Sequence, residues 1–116
     1  MTTIKSYTDL GQSKKLAEIL PLESADMLWE QHGAEPYVTI KPWTTIGKSI
    51  GCHCVSCWSL AALLSVVPEE VSLNSFKDGN WNAMVQQNGK IIYSDANNPV
   101  DACYELILKL HELKML

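Results

Sequence analysis

The chain has no arginine. All nine basic side chains are lysines, set against 13 acidic ones, which leaves a net charge of −4 and a pI near 5.2. The planar fork that reads phosphate, carboxylate or guanine in two parallel hydrogen bonds is therefore missing. An anion site would have to use lysine, backbone N–H groups or a helix N-terminus. The acidic balance excludes general nucleic-acid binding, which needs a basic surface, and it is too mild for an acidic DNA mimic. A long apolar run is missing too. The longest, Leu60 to Val67, stops at Pro68, well short of the ~20 residues that cross a bilayer. The opening MTTIKSYTDLGQSKK has no signal-peptide core, so no membrane association and a cytoplasmic location are expected. In that compartment the four cysteines would be thiols or metal ligands, not a disulfide framework. There is no phosphate loop, dinucleotide fingerprint or H-E-x-x-H, and no repeat, low-complexity tract or linker.

What is present is clearest in the last third, WNAMVQQNGKIIYSDANNPVDACYELILKLHELKML. Asn88-Gly89 tolerates positive φ at both central positions of a type I′ turn, the favoured two-residue hairpin. That turn pairs Gln87 with Lys90, Val85 with Ile92 and Ala83 with Ser94. Alternation then puts Trp81, Ala83, Val85 and Ile92 on one face, and Met84, Ile91 and Tyr93 on the other. Asn98 suits an N-cap, Pro99 the first helical position and Asp101 the positive end of the helix dipole. Val100, Cys103, Ile107 and Leu110 recur at helical spacing, with Ala102, Leu106 and Leu113 beside them.

Upstream, a first helix is expected from about Asp9 to Leu20. Thr8 would be its cap, Leu10, Leu16, Ala17 and Leu20 its buried stripe, and Pro21 its stop. A strand is expected around Met27 to Gln31, a turn at His32 to Pro36, and a second strand from Tyr37 to Lys41, where Tyr-Val-Thr-Ile has strong strand propensity. Pro42 to Gly51 reads as a loop. A second helix, SCWSLAALLSVV, would start at Ser56 or a neighbour and close at Pro68. It carries Cys57, Leu60, Ala61 and Leu64 on one face. Glu69 to Asp78 gives no clear signal. The sum is one small α+β domain, helix–hairpin–helix–hairpin–helix, with helices packed on an antiparallel sheet.

Chemistry is concentrated in Cys52-His53-Cys54-Val55-Ser56-Cys57. Cys54 and Cys57 form a C-x-x-C where the second helix is expected to begin, and two such thiolates can chelate one tetrahedral zinc ion. A structural site draws its remaining ligands from a second pair, and none exists in the sequence. A helix N-terminus would also lower a thiol's pKa and activate Cys54 for redox work. The alternative is plain packing, since a free cysteine behaves as a small buried hydrophobe. Four tryptophans in a chain this short are the other resource. Trp81 reads as core. Trp58 lies off the helical stripe and would meet the sheet or a partner. Trp43, in a Pro/Gly loop near Tyr37, Lys41 and Lys48, either caps the edge of the core or stacks on a flat ligand or partner.

The strings SYTDLGQSKKLAEILPLESADM, CWSLAALLSVVP and NPVDACYELILKLHELKML together resemble small proteins encoded by phages, prophages and mobile elements of gut bacteria. The likeness spans the two ends and the central helix, roughly half of the chain. In those relatives the central helix follows Pro-Cys-Trp; here Ser56 stands in place of the proline. The resemblance implies no activity and no catalytic residue. It implies a setting, the cytoplasm of a bacterial host, in which small acidic proteins act as accessory or counter-defence factors. Such factors bind a host protein or sequester a nucleotide-like immune signal.

The expectation is therefore a non-enzymatic binding protein. Tyr37, Trp43, Lys48 and Trp58 are candidate contacts to a host protein or nucleotide-like ligand. Met84, Ile91 and Tyr93 are candidates for self-association into a homo-oligomer, and no cofactor is expected. The alternative is a zinc- or thiol-dependent module centred on Cys52, His53, Cys54 and Cys57.

Overall fold

The computed structural model describes residues 5–31, 37–40 and 53–116. Those residues form an α+β fold. Helix α1 (Leu10–Ala17) is followed by a single 3-10 turn (Leu22–Ser24) and strands β1 (Met27–Gln31), β2 (Tyr37–Ile40) and β3 (His53–Cys57). Helix α2 (Leu60–Val66) leads into β4 (Ser72–Ser75), β5 (Trp81–Gln87), β6 (Lys90–Ala96) and helix α3 (Pro99–Glu112). The strands make two antiparallel three-stranded sheets, ordered β2-β1-β3 and β4-β5-β6.

The C-terminal unit follows its local chemistry. Asn88 and Gly89 take φ of 52° and 78°, the doubly positive turn that matches strand twist. The register pairs Gln87 with Lys90, Val85 with Ile92 and Ala83 with Ser94. The Asn98 side chain accepts the Asp101 N–H at 2.8 Å, and Pro99 stands in the first turn. Val100, Ala102, Cys103, Leu106, Ile107 and Leu110 are buried. Leu113 is the exception on the expected stripe, at 57% exposed. The helix stops at Glu112 and Lys114 turns the chain at φ 59°, so Leu113 leaves the helical face.

The N-terminal half departs further from expectation. Asp9, not Thr8, caps α1. Its side chain accepts the Gln12 N–H at 2.7 Å while the Gln12 side chain accepts the Asp9 N–H at 3.1 Å, a reciprocal capping box. Helix α1 ends at Ala17 rather than Leu20, and a tightened turn still brings Leu20 into the core. Strand β1 lies where expected, and β2 ends at Ile40.

The largest correction concerns the cysteine cluster. His53 to Cys57 is not a loop running into a helix start but a strand, paired along its length with β1, from Met27↔Cys57 to Gln31↔His53. Helix α2 begins only at Leu60, where the Ser59 hydroxyl accepts the Ala62 N–H at 3.2 Å. An unpaired edge of β1 offers a row of N–H and C=O groups, and that demand outweighs the weak helical preference of Cys, Val and Ser. Likewise β4, in the stretch without a clear signal, fills the free edge of β5. Each expected hairpin thus gains a third strand, and the helices alternate with two three-stranded sheets instead of two hairpins.

One core joins the halves. Leu16, Leu20, Trp58 and Leu63 belong to the same buried cluster as Val85, Val100, Leu106, Ile107 and Leu110. Helix α3 packs on β5 and β6, α1 on β3, and α2 on α3.

Candidate functional site

The β4-β5-β6 sheet has a covered face and an open one. Ala83, Val85, Ile92 and Ser94 turn towards α3. The intervening residues point away. On the open side Met84 stands opposite Tyr93 on one flank and Ser72 on the other, and Gln86 stands opposite Ile91. Met84, Ile91 and Tyr93 therefore share one face, as their spacing requires. Ile91 is 57% exposed and Tyr93 52%, while Met84 is half-buried between the strands. A polar row runs across one end: the Asn74 amide donates to Asn82 at 3.3 Å, and the Asn82 amide to Asp95 at 2.8 Å. Lys109 reaches over from α3. Its Nζ donates to the Tyr93 carbonyl at 2.6 Å and lies 5.4 Å from the ring centroid, so it binds the backbone by a hydrogen bond and the ring by cation–π attraction.

The other expected contacts do not assemble in the same way. Trp58 is fully buried, with its indole N–H donating to the Ser24 hydroxyl at 2.9 Å. It is a core residue, not a contact residue: the extended link between β3 and α2 aims it inward. Tyr37 opens β2 opposite Glu30. Trp43, Lys48 and Cys52 lie outside the described residues. His53 and Cys54 stand opposite Gln31 and Glu30 in the β1–β3 ladder. Cys57 is fully buried, its Sγ 3.4 Å from the Thr8 carbonyl and 3.6 Å from the Thr8 hydroxyl. Burial raises the Cys57 thiol pKa, against the smaller opposite effect of its hydrogen bonds with Thr8 and Ser13. Burial alone pushes Cys103 to about 11. Neither thiol is an activated nucleophile. With the motif in a strand, the helix N-terminus that was to activate Cys54 is absent from this stretch.

Two polar nodes had no clear signal in the sequence. Thr8 is completely buried. Its hydroxyl meets Ser13 Oγ at 2.7 Å and accepts the Trp58 N–H at 3.2 Å, and its carbonyl accepts the Trp29 indole N–H at 3.0 Å. A threonine before a helix reads as a cap, and its neighbour Asp9 takes that role. The second node ties the chain start to α3. Lys5 Nζ lies 2.8 Å from Asp101, which also accepts from Gln12 at 2.7 Å and Asn98 at 2.8 Å. Partial burial would raise the Asp101 pKa, but these three donors outweigh it and hold the carboxyl below its usual range. Lys5, opposed by its own burial, is still raised by Asp101 and Asp9. Only the position of Asp101 near a helix start hinted at such a role.

No helix among the described residues is long and apolar enough to cross a membrane. No family model, no curated protein and no solved structure matches this chain.

Proposed function

We propose that this protein is a non-enzymatic binding protein, a phage or mobile-element accessory factor that acts by stoichiometric capture. One observation carries the reading. Ile91 and Tyr93, each more than half exposed, stand beside Met84 on a regular sheet face bordered by amides. An aromatic and aliphatic centre with a polar rim is the make-up of a protein-binding patch. The face is open, whereas small-molecule sites are concave. A host protein is therefore the favoured target, in keeping with a counter-defence setting. A nucleotide-like ligand is the other target class, and it would draw on Tyr37, Trp43 and Lys48.

Met84→Glu tests this reading, because Met84 lies on the central strand and the change affects the open face alone. Immobilised wild-type protein is expected to retain one host protein in about equimolar amount, and the variant to lose at least about tenfold of that capture, the effect of a lost hot spot. Equal retention by a folded variant would refute the assignment of the face. Native mass spectrometry showing a few hundred daltons of retained mass would move the target to a small molecule. The thiol- or zinc-dependent alternative is tested by Cys52→Ser with Cys54→Ser, leaving the buried Cys57 in place. Capture is expected to survive both changes.

A further inference from the structure

We propose that β6 is a self-pairing edge, through which two copies of this chain join about a two-fold axis and merge their three-stranded sheets into one. The inference goes beyond the capture reading and stands whether or not a host protein is bound.

Among the described residues β6 ends its sheet. It is seven residues long, KIIYSDA, without the proline or bulge that blunts an exposed edge. The other edge, β4, is four residues of Ser, Leu and Asn and offers much less. The direction of the free backbone groups follows from the turn. In a two-residue hairpin the flanking pair, Gln87 and Lys90, is hydrogen-bonded, and such pairs then alternate. Ile92 and Ser94 therefore bond inward to β5, while Ile91, Tyr93 and Asp95 direct N–H and C=O outward. The Lys109 ammonium on the Tyr93 carbonyl marks the outward direction independently.

Charge selects the occupant. Helix α3 runs back along β6, so Asp101 and Glu105 border a cleft with Ser94 and Asp95, and Lys114 borders a groove with Lys90 and Ile91. One end of this flank carries Asp95 and Glu105, beside Asp101, whose charge Lys5 already offsets. The opposite end carries Lys90 and Lys114, which outnumber the single carboxylate of Glu112, with Lys109 between. Glu105, Lys90 and Lys114 make no ion pair among the described residues. Antiparallel pairing with Tyr93 facing its own copy sets Ile91 opposite Asp95 and lays the acidic end of each chain on the basic end of the other. Glu105 stands four residues before Lys109 on α3, and Lys114 five residues after it, just past the helix end at Glu112, so the same axis brings them to one region. Parallel pairing would set like charges side by side. The edge is thus complementary to itself, which an unrelated strand would be only by chance. Lys109 holds its carbonyl through a single exposed hydrogen bond, and a partner N–H replaces it there.

The test is sedimentation analysis of the intact chain across a concentration series. A species of twice the 12.9 kDa chain mass is expected, weakening as salt screens the charges. Tyr93→Pro leaves the inward ladder intact and removes the central outward donor, raising the dissociation constant at least about tenfold. Glu105→Lys and Lys114→Glu each weaken the dimer, and the two together restore it. Met84→Glu leaves it unchanged. A wild-type chain that stays monomeric throughout would overturn the proposal. So would a dimer indifferent to Tyr93→Pro, or single charge changes that the double change fails to rescue. The charge variants sit on the exposed flank, so they remain decisive if Tyr93→Pro compromises folding.

Discussion

Trp58 is fully buried in one cluster with Leu16, Leu20 and Leu63, and its indole N–H is satisfied by Ser24. Trp58→Phe keeps most of the apolar bulk but leaves the Ser24 hydroxyl without that donor and opens a small void. The expected cost is about 1–2 kcal/mol in urea unfolding. The same residue differs from expectation for a local reason. On a helix its position would have left it off the buried stripe. In the extended run through the end of β3 towards α2, the neighbouring Cys57 and Trp58 are both buried, Cys57 against Thr8 and Trp58 against Ser24. A period error of this kind turns a core side chain into an apparent contact. Thr8 was misread for a related reason. Threonine and aspartate are both good caps, and only the reciprocal bond with Gln12 decides for Asp9.

At the level of elements, legibility tracks sequence distance. Turn, register, cap and buried stripe of the β5–β6–α3 unit are all set by residues close in the chain, and all were readable apart from Leu113. Asn98→Ala removes the cap of α3 and is expected to lower stability by about 1 kcal/mol, measurable as a lower urea midpoint at unchanged slope. Strands β3 and β4 were not readable. Their sequences, HCVSC and SLNS, carry little propensity of their own. They become strands because β1 and β5 present free edges. Pairing that a distant partner imposes leaves almost no trace in the paired segment. The open face of Met84, Ile91 and Tyr93 was legible because two-residue alternation and an Asn-Gly turn fix it. Its polar row was not, since Asn74 belongs to β4.

Across the whole molecule, Lys5 and Asp101 join the chain start to the last helix, and their titration sets the pH range of that contribution. The Asp101 carboxyl is held below 3.8 in the folded state. Its stabilisation is fully present above that pH and is lost as pH falls through the lower folded value. Lys5 is raised above 10.5, so its share is complete below that pH and lost as pH climbs through the higher folded value. Wild type is therefore expected to exceed Asp101→Asn in stability at about pH 6, with a narrower gap at about pH 3. Urea unfolding of both proteins at the two pH values measures this.

The division between nearby and distant pairing also sets an order in time. The β5–β6 ladder closes from a two-residue turn, a microsecond event for an isolated hairpin, and α3 follows directly in the chain. The β1–β3 ladder must bring Met27 to Cys57, and the Thr8 hydroxyl meets a backbone N–H 50 positions away. Loop closure over such spans comes late in folding. The C-terminal unit is thus expected to form first and the Thr8 node to close last, an order that φ-values at Val85 and Thr8 would read as high and near zero.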